Sequence, residues 1–186
     1  MSSSIFEIGQ YQLTDSDAFL IDTNIWYYVY GPQQSPGRQS TILYSRALKR
    51  MLQARCRIFI DVLVLSEFAN RVSRFWYNLQ KPTGIKDFKA YRRSPAYKPV
   101  AAEVKITVGR ILTMCHRLAS EFEKLSDADV ESLLTLFESG NNDINDLLLA
   151  KTCNVRGLKI LTHNEDFRDL GVTIVTGNKN LLMRNP

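Results

Sequence analysis

Ala18-Phe19-Leu20-Ile21-Asp22-Thr23-Asn24 is the stretch on which the fold turns. Four consecutive apolar residues closed by an acid predict a buried parallel strand, because a strand covered on both faces reads as a continuous apolar run rather than as an alternation. Thr23 and Asn24 predict the start of a helix, since either side chain can accept a backbone N–H of the first turn. Asp22 has two readings. It could cap that helix, but an acid at the end of a buried strand is costly without a partner, and this favours a functional role.

Outward from this stretch, apolar periodicity alternates with short apolar runs. Residues 40–54 carry a helical pattern (Ile42, Leu43, Ala47, Leu48, Met51, Leu52). Gly31-Pro32 and Ser35-Pro36-Gly37, which precede it, read as a loop. Arg57-Ile58-Phe59-Ile60 is a second strand candidate, followed by a long helix over about 62–79. Pro82, Gly84, Pro95 and Pro99 predict a loop or broken arm over 80–99, and a helical register resumes over 100–125. Ser126 and Asp129 form a capping-box pattern, Asn142 or Asp143 caps a helix running to about Arg156, and Gly157 supplies its stop. Residues 158–162 and 172–175 are the last strands. Strands alternating with helices predict an α/β layer with a mainly parallel sheet, whose carboxyl ends lie along one edge where ligands bind.

At 186 residues the chain fits one domain with an elaboration. Its 45% hydrophobic and 23% charged residues match an ordinary globular core and exclude a disordered or fibrous chain. No apolar run is long enough to span a bilayer, and Met1–Gln10 lacks a basic leader and an apolar segment, so neither a membrane partner nor a signal peptide is expected. Cys56, Cys115 and Cys153 are odd in number and far apart, which fits a reducing cytoplasm better than a disulfide framework. The net charge of +5 is uneven: residues 71–110 hold ten basic against two acidic side chains, +8, and the remainder carries −3. A basic segment on an acidic body predicts a polyanion partner.

The acids fall at the predicted edge. Asp22 ends the first strand, Glu67 lies two turns into the helix after the second, Asp143 and Asp146 open the helix feeding the third, and Asp166 with Asn164 follows the third. Bland readings compete: Asp143 as a cap, Glu67 as a solvated helix residue, Asp166 as a turn residue. Together, however, like charges converging on one edge need a cation or a proton, and hard oxygen donors in this number favour Mg²⁺ or Mn²⁺. His116 reads as a structural or surface residue, and His163, with no second histidine nearby, makes a weak metal ligand.

These residues carry a family resemblance. Asp22-Thr23-Asn24 resembles the opening of PIN-domain ribonucleases, including VapC-like toxins. Ser66-Glu67-Phe68-Ala69-Asn70-Arg71 is similar to the family's second acidic motif, and Asn145-Asp146-Leu147-Leu148-Leu149-Ala150 to its third. Leu161-Thr162-His163-Asn164-Glu165-Asp166-Phe167 is similar to the closing Thr-x-Asp-x-Asp-Phe element. Two departures stand out: Asn164 replaces an aspartate common in the family, and the stretch over about 72–125 is longer than in compact members.

The resemblance implies a PIN-like three-layer α/β fold. It would be one nuclease domain over 1–186 with a basic, aromatic-rich helical insertion at about 72–125. It further implies a metal-dependent endoribonuclease, in the toxin reading silenced by a small antitoxin and forming a homodimer. Asp22, Glu67 and Asp146 would hold the Mg²⁺ or Mn²⁺, with Asp143 and Asp166 completing the site or orienting water. Asn24, Thr162 and Asn164 would fix the carboxylates. Independently, cations interleaved with aromatics suit unpaired RNA. Arg71, Arg74, Lys86, Lys89, Tyr91, Arg92, Arg93 and Lys98 are the candidates. The rival function is a PIN-like module that grips RNA or protein with little or no cleavage, and a DNA-structure nuclease is a third. A dinucleotide or P-loop enzyme is unsupported, since neither glycine-rich motif occurs.

Overall fold

The computed structural model describes residues 3–32, 38–119 and 122–183. Its strands are β1 (Ile5–Glu7), β2 (Ala18–Ile21), β3 (Arg57–Ile60), β4 (His116–Arg117), β5 (Lys159–Leu161) and β6 (Thr173–Thr176). They form a six-stranded sheet in the order β1-β6-β5-β2-β3-β4. Every pairing is parallel. The helices are α1 (Thr23–Tyr30), α2 (Arg38–Gln53), α3 (Val62–Gln80), α4 (Phe88–Arg93), α5 (Lys98–Met114), α6 (Asp127–Glu138), α7 (Ile144–Arg156) and α8 (Lys179–Met183). The result is the expected three-layer α/β arrangement.

Strand β2 lies at the centre because it is apolar on both faces: Phe19, Leu20 and Ile21 have no exposed surface. Phe19 registers with Ile58 of β3 on one side and with Lys159 of β5 on the other. Trp26 of α1, Tyr44 and Met51 of α2, and Phe68 of α3 are fully buried in the same core. After β2 the chain adds β3 and β4 outward on one side, then crosses back to lay down β5 and β6 on the other. The strand order therefore reverses at the β2–β5 boundary. In an open parallel sheet such a reversal splays the connections apart and leaves a crevice above the carboxyl ends of the two strands.

Several local expectations change. Strand β1 was not anticipated; its three residues gain their regularity from pairing with β6, a partner some 170 positions away. The helix predicted over 100–125 stops at Met114. Cys115 is extended (φ −121°, ψ 144°), and β4 then pairs with β3, with the Leu118 N–H donating to the Ile60 carbonyl at 3.0 Å. The apolar residues beyond 114 thus serve a sheet edge. The predicted arm over 80–99 contains helix α4 and a 3-10 turn at Pro95–Tyr97. The cap of α1 is Asp22 itself, not Thr23 or Asn24. Ser35-Pro36-Gly37 lies outside the described residues.

Other readings match. Ser126 and Asp129 form the capping box of α6, and Asp143 caps α7. Cys56, Cys115 and Cys153 are free thiols. Among the described residues no helix is long and apolar enough to cross a membrane.

Gly157 ends α7 in the left-handed conformation (φ 62°, ψ 35°) and turns the chain into β5. A Cβ at this position would meet nothing within 4 Å, so the backbone conformation is the whole constraint. Gly157→Ala should therefore cost about 1 kcal/mol and lower the melting temperature by ~2–4 °C. An unchanged melting temperature would contradict this account of the turn.

Candidate active site

Asp22 begins where β2 ends. Its N–H extends the ladder to β5 by donating to the Leu161 carbonyl at 3.0 Å, and its extended backbone (φ −70°, ψ 156°) opens α1. Only 4% exposed, its carboxylate accepts from the Thr23 N–H, from Asn24 Nδ2 at 2.6 Å and from the Thr162 hydroxyl at 2.6 Å. Capping and site membership, competing readings of the sequence, are one arrangement.

The neighbouring polar groups continue this arrangement in both directions. The Thr23 hydroxyl donates to Glu67 Oε2 at 2.9 Å, tying α1 to α3. The Thr162 oxygen accepts from the Asn164 N–H at 2.9 Å and from Asn24 Nδ2 at 3.3 Å. Asn24 Oδ1 accepts the His163 N–H at 3.1 Å. Asn164 Oδ1 accepts the Asp166 N–H at 3.2 Å, which turns Nδ2 toward Asp146 Oδ2 at 3.0 Å. Asn164 therefore orients Asp146, where an aspartate would instead face it with a second negative charge. Phe167, fully buried, anchors the turn that carries Asp166. Asp143 accepts the Asn145 N–H at 2.7 Å as the cap of α7.

All five acids line one cavity of about 480 Å³, with Asn24 and Asn164 also in its wall. Thr162, fully buried, supports the floor from behind Asp22. Arg71 is the one lysine or arginine in that wall among the described residues. None of the five carboxylates makes an ion pair among the described residues. Burial pushes the Asp22 carboxyl up to about 6; Glu67 adds repulsion, against which the Thr162 and Thr23 hydrogen bonds and Arg71 act. Burial also raises Asp146 to about 7, reinforced by Asp22, Asp166, Asp143 and Glu67.

Among the described residues no three His, Cys, Asp or Glu side chains form a ready-made cage. The donor set nevertheless fits a hard divalent ion. Oxygen ligands from one or two carboxylates suffice for Mg²⁺, which keeps several of its waters, and the open cavity leaves room for them. Glu67, Asp143 and Asp166 are exposed while Asp22 is buried and Asp146 half-buried, so an ion would meet an inner pair of acids and a more exposed outer set.

Tyr28, Asn145 and His163 also line the cavity and were not among the site residues expected from the sequence. Tyr28 lies one helical turn after Asn24, on the same face of α1, and that spacing was the available signal. His163 packs edge-on to Tyr28 (5.5 Å) and to Tyr44, whose hydroxyl lies 2.7 Å from Nδ1. Burial lowers the His163 pKa, against the opposing charge of Glu165, and so favours the neutral ring. Its role in the cavity wall exceeds the weak reading given to it above.

The basic candidates separate. Arg71 lines the acid cavity, and Arg74 lies three residues further along α3. Lys86, Lys89, Arg92, Arg93 and Lys98 are exposed on or beside α4. Tyr91 is a correction: it has no exposed surface, its hydroxyl donates to Gln80 at 2.7 Å, and Tyr77 and Tyr97 pack around its ring. It is the core of the arm and offers no face to a base.

The family model described as PIN domain matches residues 19–172. No curated protein matches the chain. Among solved structures, VapBC2 from Rickettsia felis, bound to a DNA fragment from their promoter, superposes with a TM-score of 0.51 at 17% identity, covering 86% of this chain and 98% of that one. PAE2754 from Pyrobaculum aerophilum gives a TM-score of 0.48 at 14% identity over 93% of this chain and 92% of that one.

The raised carboxyl pKa values have a consequence for stability. Between roughly pH 4 and 7 Asp22 and Asp146 hold more protons in the folded protein than in the unfolded chain, whose carboxyls titrate near 4. The contribution of these groups is full below that range and falls as pH rises through about 6 and about 7. Without divalent ions, Asp146→Asn should therefore stabilise the protein at pH 7.5 by about 1–2 kcal/mol after allowance for partial exposure, and barely alter it at pH 4. Thermal denaturation across pH measures this; a variant that tracks the parent at both ends would remove the repulsion argument.

Proposed function

The chain belongs to the PIN domain family, and from that premise we propose that it is a divalent-metal-dependent endoribonuclease acting in the cytoplasm. One observation carries the reading: Asp22, Glu67, Asp143, Asp146 and Asp166, drawn from four separate parts of the sequence, line a single cavity, and none of them is in an ion pair among the described residues. Asp22, Glu67 and Asp146 would hold Mg²⁺ or Mn²⁺, with Asp143 and Asp166 at its outer side. The ion, when bound, would activate water and offset charge developing on the phosphoryl group.

The remaining tasks belong to the chain itself. Three donors hold Asp22 in one orientation, and the Asn164 amide holds Asp146, so the acids need little rearrangement to serve as ligands. Arg71 stands ready to meet a substrate phosphate. Thr162, fully buried behind Asp22, closes the site on its inner side.

The Rickettsia felis neighbour, VapBC2 on promoter DNA, motivates the more specific reading of a toxin silenced by a small antitoxin. Homodimerisation is part of that proposal, as is a single nuclease domain elaborated at 72–125. A cleft that binds RNA without cutting is the rival. The hydrogen-bonded ordering of unpaired acids speaks against it, since grip alone is better served by cations.

Labelled single-stranded RNA incubated with Mg²⁺, Mn²⁺ or chelator decides between them. Cleavage should require the ion, and Asp22→Asn and Asp146→Asn should each reduce it by more than about 100-fold, the upper end of what losing a group that merely orients a ligand costs. Asp22→Asn should stay folded, because asparagine caps a helix as well as aspartate does. Binding without cleavage in every metal would establish the rival.

A further inference from the structure

A second hollow of about 490 Å³ adjoins the acid cavity and shares Glu67 and Arg71 with it. Tyr27, Asn70, Arg74 and Phe75 continue its wall. Glu67, Arg71, Arg74 and Asn78 follow one another at three- and four-residue steps along α3, so the hollow runs with the helix for ~16 Å. Arg71 and Arg74 line this path, and Arg92 of α4 is joined to them through a shared ring: Arg71 lies over Tyr27 at 4.4 Å, Arg74 over Phe88 at 4.7 Å and Arg92 over Phe88 at 5.3 Å. None of the three forms an ion pair among the described residues.

Stacking fixes the plane of a guanidinium while leaving its N–H groups unengaged, and a planar fork with unengaged donors matches phosphate oxygens. Phe88, which opens α4, supports two of the three, and the aromatic packing of Tyr77, Tyr91 and Tyr97 beneath it fixes α4 against α3. We propose that Arg71, Arg74 and Arg92 form a phosphate track that holds single-stranded RNA on one side of the scissile bond. This deepens the nuclease reading and rests on it for the position of the bond. The lysines of the arm have no such support, and Tyr91 does not stack bases. An acidic protein segment is the alternative occupant. It is disfavoured because the track leads directly into five carboxylates, which a phosphodiester approaches with divalent ions whereas a peptide carboxylate adds only repulsion.

The test measures binding of a labelled single-stranded RNA by anisotropy, in chelator and in an Asp146→Asn background, so that it does not depend on cleavage. Arg74→Ala and Arg92→Ala should each weaken binding about fourfold at 0.15 M salt and reduce the slope of log affinity against log salt by about 0.7. Phe88→Leu, which keeps every charge, should weaken it about threefold with the slope unchanged. Lys49→Ala on α2 is the charge control, and circular dichroism verifies folding of each variant. Equal effects from Lys49→Ala and Arg74→Ala would overturn the track, because net charge would then explain binding. So would arginine-dependent binding of polyglutamate as tight as that of RNA, or tighter binding of single-stranded DNA. Binding that follows these expectations alongside a wild type that never cleaves would sustain the track and remove the nuclease assignment; cleavage indifferent to Arg74 and Arg92 would do the reverse.

Discussion

Mutual repulsion among carboxylates governs the arrangement at the carboxyl edge of this sheet. Asp22 and Asp146 are withdrawn from water, face Glu67, Asp143 and Asp166 across one cavity, and have their proton affinity raised. A protein selected for stability alone would disperse these charges or pair each with a cation. Here the nearest basic group, Arg71, is held over Tyr27, and no acid takes it as a partner among the described residues. The strain is local and the compensation is architectural: a core built on the fully buried strand β2 fixes the positions that repulsion would otherwise separate.

Helix termini supply part of that compensation. Asp22 caps α1, Asp143 caps α7, and Asp146 sits in the first turn of α7. The exposed N–H groups and macrodipole at a helix start favour negative charge. Two helices thus open toward the same crevice and deliver acids to it where acids are least expensive. The crevice exists because the strand order reverses between β2 and β5, and the Asp22–Thr162 hydrogen bond spans that boundary.

The arm between α3 and β4 answers a different requirement. Its aromatics are first of all structural: Tyr77, Phe88 and Tyr97 pack around the buried Tyr91, making a small core that α4 needs because six residues cannot hold a helix alone. Cations are consequently carried on a firm support, and the segment returns to the sheet as β4 rather than hanging free.

Much of the fold was legible locally. The apolar runs at 18–21 and 57–60, the capping box at Ser126 and Asp129, and the glycine stop at Gly157 all depend on neighbouring residues, so the chain states them directly. The acids of the cleft were legible as types at strand and helix ends. What sequence could not decide was whatever depends on a distant partner. Strand β1 is regular only beside β6, and Cys115 leaves the helix because β3 offers an edge. Asn164 was expected to fix a carboxylate, but that its amide orients Asp146 is decided by the fold, and Tyr91 looked like a surface ring until α3 and α4 closed over it. Periodicity and capping are short-range and are written along the chain, whereas burial and hydrogen-bond direction are set by whichever groups the completed fold brings alongside.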